Sequence, residues 1–403
     1  MGELSPEPGL GEWSERIFAA FDPEMPTPAA ILQRDADELR QSRQENMDQL
    51  RQFCEERLAE VFSSEERRWV GQRLRQELET IQTYGQASSF KDAKRAVQLL
   101  RDQGGTCRLI GAGSSSLVSY LMQLSEIDPM KHGLPYERFL EANSTRTIKF
   151  QFVAHLPTDK SGDGFSPIQD GLSSDAVSIQ QMTFVEAMPC FVTEEVRRIV
   201  PDFELTSIPL DDEATFETIR SGNVEGIRRF EGVETQRLIS DMKPRCLTDI
   251  AAITAIQSGE VHESGMLDEF IRRGINGNHK KPENWLVEET LQETRGIILF
   301  QEQVMLILNR VADIPLADAY SFIKAACKRQ WEQVATIREW FVVEAVGNGV
   351  NEPDARTLFE GIWNAATRAV CKAHHLSEAA TMYQTAFLKT HFPKEFSRTL
   401  QII

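Results

Sequence analysis

Residues 109–140 read Leu109-Ile-Gly-Ala-Gly-Ser-Ser-Ser-Leu-Val-Ser-Tyr-Leu-Met-Gln-Leu-Ser-Glu-Ile-Asp-Pro-Met-Lys-His-Gly-Leu-Pro-Tyr-Glu-Arg-Phe-Leu140. An apolar pair leads into Gly111-Ala-Gly113, three serines follow, and the chain then turns amphipathic. That order predicts a strand, a tight turn and a helix start. Glycine supplies the positive φ of the turn, and serine caps the helix. Successive backbone N–H groups at such a start can hold a phosphate. The same residues also make a plain capped turn, so this loop alone leaves both readings open.

The continuation is more specific. Gly-Ser-x-x-Leu-Val-x-Tyr-Leu, then Ile-Asp-Pro, then Gly-Leu-x-x-Glu-Arg-Phe-Leu resembles the palm opening of the bacterial DNA polymerase III alpha subunits, the C-family polymerases. The resemblance implies a nucleotidyltransferase-type, polymerase beta-like palm, with Gly113, Ser114 and Ser115 near the nucleotide. It also implies three metal-binding aspartates on the next strand. Counting without a gap from Glu137-Arg-Phe-Leu140, those positions fall on Lys149, Gln151 and Val153. Alternate residues of a strand share a face, so two such aspartates would converge on a pair of Mg²⁺ ions. Mg²⁺ takes hard oxygen ligands, which lysine, glutamine and valine do not offer as carboxylates. No metal and no cofactor is therefore expected, Mg²⁺ entering only if the chain is an active enzyme.

Composition sets outer limits. The chain has 403 residues, a net charge of −17 and six cysteines without CxxC spacing. That length supports two or three domains, and the cysteine usage points to a reducing, cytoplasmic compartment without structural zinc. No apolar run approaches membrane-spanning length, so no membrane partner is expected. The acidic balance weighs against a dedicated nucleic-acid binder while leaving room for a local basic groove.

The expected fold class is α+β and predominantly helical: thumb-like helices, a shortened palm and helical fingers. Residues 1–27, rich in Pro, Gly and Glu, read as a mobile tail. Residues 28–105 carry apolar positions at helical spacing, with Ser63-Ser-Glu-Glu as a helix start. Residues 106–210 form the reduced palm, with strands at Cys107–Ile110 and Thr147–Val153 and a turn-rich loop at 157–164. There Glu186 is a weak catalytic candidate, read otherwise as a strand-end acid facing water. Residues 211–403 resemble the family's fingers, most sharply in Glu293-Thr-Arg-Gly-Ile-Ile-Leu-Phe-Gln-Glu-Gln-Val-Met305. The family's N-terminal phosphoesterase domain and the parts following the fingers are expected to be missing.

In the fingers, family positions that contact the triphosphate map onto Ile323-Lys-Ala-Ala-Cys-Lys-Arg-Gln330, Ser258-Gly-Glu-Val261 and Val370-Cys-Lys-Ala-His374. Several arginines are replaced there. Ser114, Lys324, Lys328, Arg329, Lys372 and His374 remain as a possible residual groove for nucleotide or DNA, or as a solvated basic face. Glu137 and Arg138 read as an internal brace. The expected function is a non-catalytic module of a replication, repair or mutagenesis assembly that binds protein partners or DNA. The alternatives are an active nucleotidyltransferase with relocated carboxylates, drawn from Asp159, Asp163, Asp175 and Glu186, and a decoy that occupies replisome partners.

Overall fold

The computed structural model describes residues 28–140, 148–156, 176–183, 186–258, 266–276 and 285–402. The expected tail at 1–27, the loop at 157–164 and the carboxylates Asp159, Asp163 and Asp175 lie outside the described residues. So does most of Ser258-Gly-Glu-Val261.

Three helices come first: α1 (Pro28–Val61), α2 (Arg67–Thr83) and α3 (Ala87–Asp102). The Ser63 amide and hydroxyl both donate to Glu66, closing the box that starts α2. Val70, Leu74, Leu78 and Ile81 then recur along one face of α2 and are buried. Strand β1 (Thr106–Ile110) follows, then a 3-10 turn at Gly111–Ser115 and the short helix α4 (Leu117–Leu121). The strand–turn–helix reading of this stretch therefore holds. Gly111 adopts φ +78°, the left-handed conformation the turn requires.

Strands β2 (Phe150–His155) and β3 (Val177–Gln181) complete a small sheet of order β1-β2-β3. β1 and β2 are antiparallel, with Arg108 opposite Val153 and Ile110 opposite Gln151. β2 and β3 are parallel. One face of the sheet, built from Leu109, Phe150, Phe152, Ala154 and Ile179, is buried with residues of α1–α4 in a single core. The boundary expected at 105/106 thus falls within one core. β2 starts at Phe150 rather than Thr147. β3 ends before Met182, so the strand expected to lead into Glu186 sits earlier in the chain.

The rest is helical. Helices α5 (Met188–Arg197), α6 (Glu213–Arg220), α7 (Val233–Met242), α8 (Leu247–Ile256) and α9 (Met266–Asn276) precede a second group. That group is α10 (Trp285–Leu291), α11 (Gln301–Ala312), α12 (Leu316–Cys327), α13 (Trp331–Gly347) and α14 (Glu352–Ala366), which share their own core. The chain then returns through α15 (Lys372–His391) to α16 (Pro393–Ile402). α15 packs on the 3-10 turn, β1, α5, α6 and α8 at once. Its Leu376, Ala379, Tyr383 and Ala386 are fully buried. The chain is thus predominantly helical around a small mixed sheet, as the sequence predicts.

Candidate functional site

The second face of the sheet meets α15, and the residues expected to carry chemistry gather around that junction. Gln151 and Val153 of β2 share this face with Arg108 of β1, because directly opposed residues point the same way. Lys149, two residues before Gln151, is exposed, as is Gln151, while Val153 is buried. These side chains supply an ammonium, a neutral amide and an isopropyl group. They do not fit a hard divalent cation such as Mg²⁺. Among the described residues, no group of three or more His, Cys, Asp or Glu is arranged to hold a metal ion.

Arg108 dominates this face. Its Nη1 donates to the Ser377 carbonyl of α15 at 3.1 Å. Its Nε is buried without a hydrogen-bond partner among the described residues. Burial lowers its pKa, opposed by the nearby carboxylates of Glu378, Glu126 and Glu186. Burial likewise raises the Glu126 pKa, countered by Arg108 and by the Gln384 amide, which donates to it at 2.5 Å. A guanidinium therefore sits among three carboxylates next to the strand face.

Glu186 is not the solvent-facing strand-end acid of the sequence reading. It lies just before α5, where it accepts from the Thr183 amide (2.8 Å) and hydroxyl (2.7 Å) and pairs with Arg228. Burial raises its pKa, but the Thr183 bonds and Arg228 outweigh that, so the net shift is downward.

The Gly-Ser turn is closed from inside. Ser114 and Ser115 are fully buried. The Ser114 hydroxyl shares a hydrogen bond with Ser377 of α15 (3.1 Å) and accepts one from Ser125 (2.9 Å). Gly113 packs against Leu109, whose side chain would have to shift for an added Cβ, 2.9 Å away. At the start of α4, where an anion would be drawn, stands the carboxylate of Glu77. It accepts from the Ser116 hydroxyl (2.7 Å), the Leu117 amide (2.9 Å) and the Val118 amide (3.2 Å). Arg73 pairs with Glu77 at 2.6 Å and reaches on to the Ser115 and Leu134 carbonyls. Glu77 opens the Glu77-Leu-Glu-Thr-Ile81 segment noted in the sequence, but its capping role depends on a contact some forty residues away.

The start of α15 is built the same way. Glu302 accepts from the Lys372 amide (2.8 Å) and the Ala373 amide (3.3 Å). The Gln303 amide oxygen accepts from Leu299 and Phe300, fixing the turn into α11. Lys372 is buried, and its ammonium donates to Glu293 (2.7 Å) and to the His132 carbonyl (2.9 Å). The sharpest motif in the sequence, Glu293–Met305, is thus the frame that holds the start of α15.

His374 is partly exposed, 3.8 Å from Glu378, and burial lowers its pKa, partly offset by that carboxylate. His375 is buried against the Thr254 hydroxyl at 2.9 Å. The remaining candidates lie elsewhere, on α12. Lys324 rests over the Tyr320 ring (4.8 Å), and Lys328 and Arg329 are exposed at the helix end. Arg138 braces this helix, donating to Gln301 (2.9 Å) and to the Tyr320 hydroxyl (2.8 Å). The structure therefore brings Gly113, Ser114, Lys372 and His374 to the α15 junction and carries Lys324, Lys328 and Arg329 on a separate helix.

Comparison with known proteins finds relatives for two regions of the chain. Residues 48–147 match the family model of the bacterial DNA polymerase III alpha NTPase domain. Residues 181–349 match that of the bacterial DNA polymerase III alpha subunit finger domain. DNA polymerase III subunit alpha of Pseudomonas aeruginosa is 30% identical over 228 residues, covering 55% of this chain and 19% of the relative. The Deinococcus radiodurans subunit is 31% identical over 259 residues, 60% of this chain and 19% of the relative. The Escherichia coli subunit is 29% identical over 228 residues, 55% and 20%. The matched part thus spans about a fifth of these relatives' length. Across the two matched regions the chain belongs to the bacterial DNA polymerase III alpha subunit family.

Proposed function

We propose that this chain is a non-catalytic polymerase III alpha-like module, acting in the cytoplasm by binding protein partners, and DNA weakly, in replication or repair. One observation carries the reading. The strand face at Lys149, Gln151 and Val153, where the family's aspartates fall by ungapped count, bears no carboxylate, and the Arg108 guanidinium packs beside it. The carboxylates nearest that guanidinium, Glu126, Glu186 and Glu378, are engaged by Gln384, Arg228 and Arg229. The buried capping of α4 by Glu77 supports the same reading, because an internal carboxylate already answers the helix start. In this reading Gly113, Ser114, Ser115 and Lys372 hold the framework. Lys324, Lys328, Arg329 and His374 provide what nucleic-acid contact there is. Primer-extension and terminal-transfer assays with Mg²⁺ and Mn²⁺ test it. Incorporation at background is expected. Template-directed synthesis that disappears in Glu186→Ala would overturn it in favour of an enzyme with relocated carboxylates.

A further inference from the structure

Trp331 opens α13 at the surface and is 60% exposed. Tryptophan is a large ring that folded proteins cover over most of its area. Here it lies on Trp363 of α14, with ring centroids 5.2 Å apart and planes 11° from parallel. A cavity of about 460 Å³ adjoins the two rings, walled by Val334, Ala335 and Phe359. Val334 and Phe359 belong to the core of this helical group, so the floor under the rings is rigid.

Unpaired cations flank the rings. The Cys327 thiol donates to the Ala366 carbonyl at 3.9 Å, so the ends of α12 and α14 meet beside the stack. Lys328 and Arg329 follow Cys327 and lead straight to Trp331, and both are exposed. Arg368 follows Ala366 by two residues, and its Nε is buried without a hydrogen-bond partner among the described residues. None of these three side chains has a hydrogen bond or an ion pair among the described residues. Other arginines of the group are engaged: Arg338 with Glu339, Arg356 with Glu352 and Glu339, and Arg310 with Glu289. The carboxylate of Glu360 lines the cavity itself. It repels phosphate from that space and leaves it to an uncharged base.

We propose that the Trp331–Trp363 pair is a stacking platform for single-stranded DNA, with a base on Trp331 and the flanking phosphates on Lys328, Arg329 and Arg368. Free cations beside an exposed ring suit a ligand that brings flat faces and negative charge together. A duplex keeps its bases stacked on one another, so only an unpaired strand offers a face to the ring. An acidic peptide would answer the cations and leave the ring unused. The inference rests on the DNA contact proposed above and gives it a strand type and a surface.

The probe is a fluorescein-labelled single strand of about twelve nucleotides and mixed sequence, within the usual range of site sizes. Its controls are the same strand annealed to its complement and an abasic strand of equal length. Anisotropy with the full chain at low salt reads the affinity. The single strand should bind more tightly than either control. Trp331→Ala should weaken it by about fivefold or more, the loss of one stacked base, and leave the abasic strand unaffected. Trp331→Phe keeps an aromatic face and should lose less. Arg368→Ala should flatten the slope of log affinity against log salt by about 0.7, as for one phosphate on a single strand. Thermal melts establish that each variant is folded, and if Trp331→Ala is not, the abasic strand decides. Equal binding of the mixed and abasic strands, or undiminished binding by folded Trp331→Ala, would overturn the platform while the weak DNA contact survives. Absence of any DNA binding would remove both.

Discussion

The Glu77 carboxylate stands 2.7 Å from the Ser116 hydroxyl and ties α2 to the first turn of α4. Glu77 is fully buried and, among the described residues, is held by Arg73 and the helix start. Glu77→Ala removes the cap and strands the Arg73 charge. It should cost about 3–5 kcal/mol, the range for breaking a buried pair from one side. Glu77→Gln should cost less, because the amide oxygen still accepts. Urea unfolding midpoints of the three proteins check this, and equal midpoints would remove Glu77 from its assigned role.

Lys372 and the pair Lys328/Arg329 should behave in opposite ways. Lys372→Met leaves the Glu293 carboxylate without its ammonium and should destabilise the fold by about 2 kcal/mol. Lys328→Ala and Arg329→Ala alter exposed side chains and should shift stability by no more than about 0.5 kcal/mol. If these two meet phosphates, each should flatten the salt dependence of DNA binding by about one counterion. Thermal melts and low-salt gel shifts on all three variants separate a framework lysine from contact residues.

Acid should loosen the molecule through buried histidine. Burial, with help from His374 and Arg229, lowers the His375 pKa from 6.5 to about 3. Burial and Lys372 lower that of His132 to about 4. The unfolded chain takes up protons below pH 6.5 that the folded chain refuses. The contribution of these groups is therefore complete above pH 6.5 and falls as pH drops toward 4, at up to about 1.4 kcal/mol per unit for each group. His375→Gln should make this limb shallower. Melting temperature against pH measures it, and an unchanged slope would show that His375 is not the group responsible.

Arg138 joins the segment between β1 and β2 to α11 and α12. Its guanidinium lies 4.7 Å from the centre of the Tyr320 ring, besides bonding to the Tyr320 hydroxyl and Gln301. Arg138→Lys loses the planar fork and should be nearly as costly as Arg138→Ala. A double-mutant cycle with Tyr320→Phe should return a coupling energy of about 0.5–3 kcal/mol, and a value near zero would refute the brace.

Much of this was legible in the chain because it is local. Ser63-Ser-Glu-Glu reads as a helix start and forms one, and the glycines and serines of 111–116 read as a capped turn and form that. β3 was not legible, since Val177-Ser-Ile-Gln-Gln is short and buries only Ile179. The polar residues were the hardest to place. A lysine in sequence looks like surface, and Lys372 is buried only because Glu293 and His132 reach it from distant parts of the chain. Ser114 looked available to a ligand, yet its partner is Ser377. Periodicity reports which side of a helix is apolar, but not which acid will meet which base across the fold.

α15 bonds to residues that precede it by 263 and 269 positions, Ser114 and Arg108. During synthesis the turn at Gly111–Ser115 and the flanks of α8 therefore emerge long before the segment that roofs them. The turn stays uncovered while the 263 residues up to Ser377 are made. The chain's final collapse is a late, long-range event of the slow and aggregation-exposed kind.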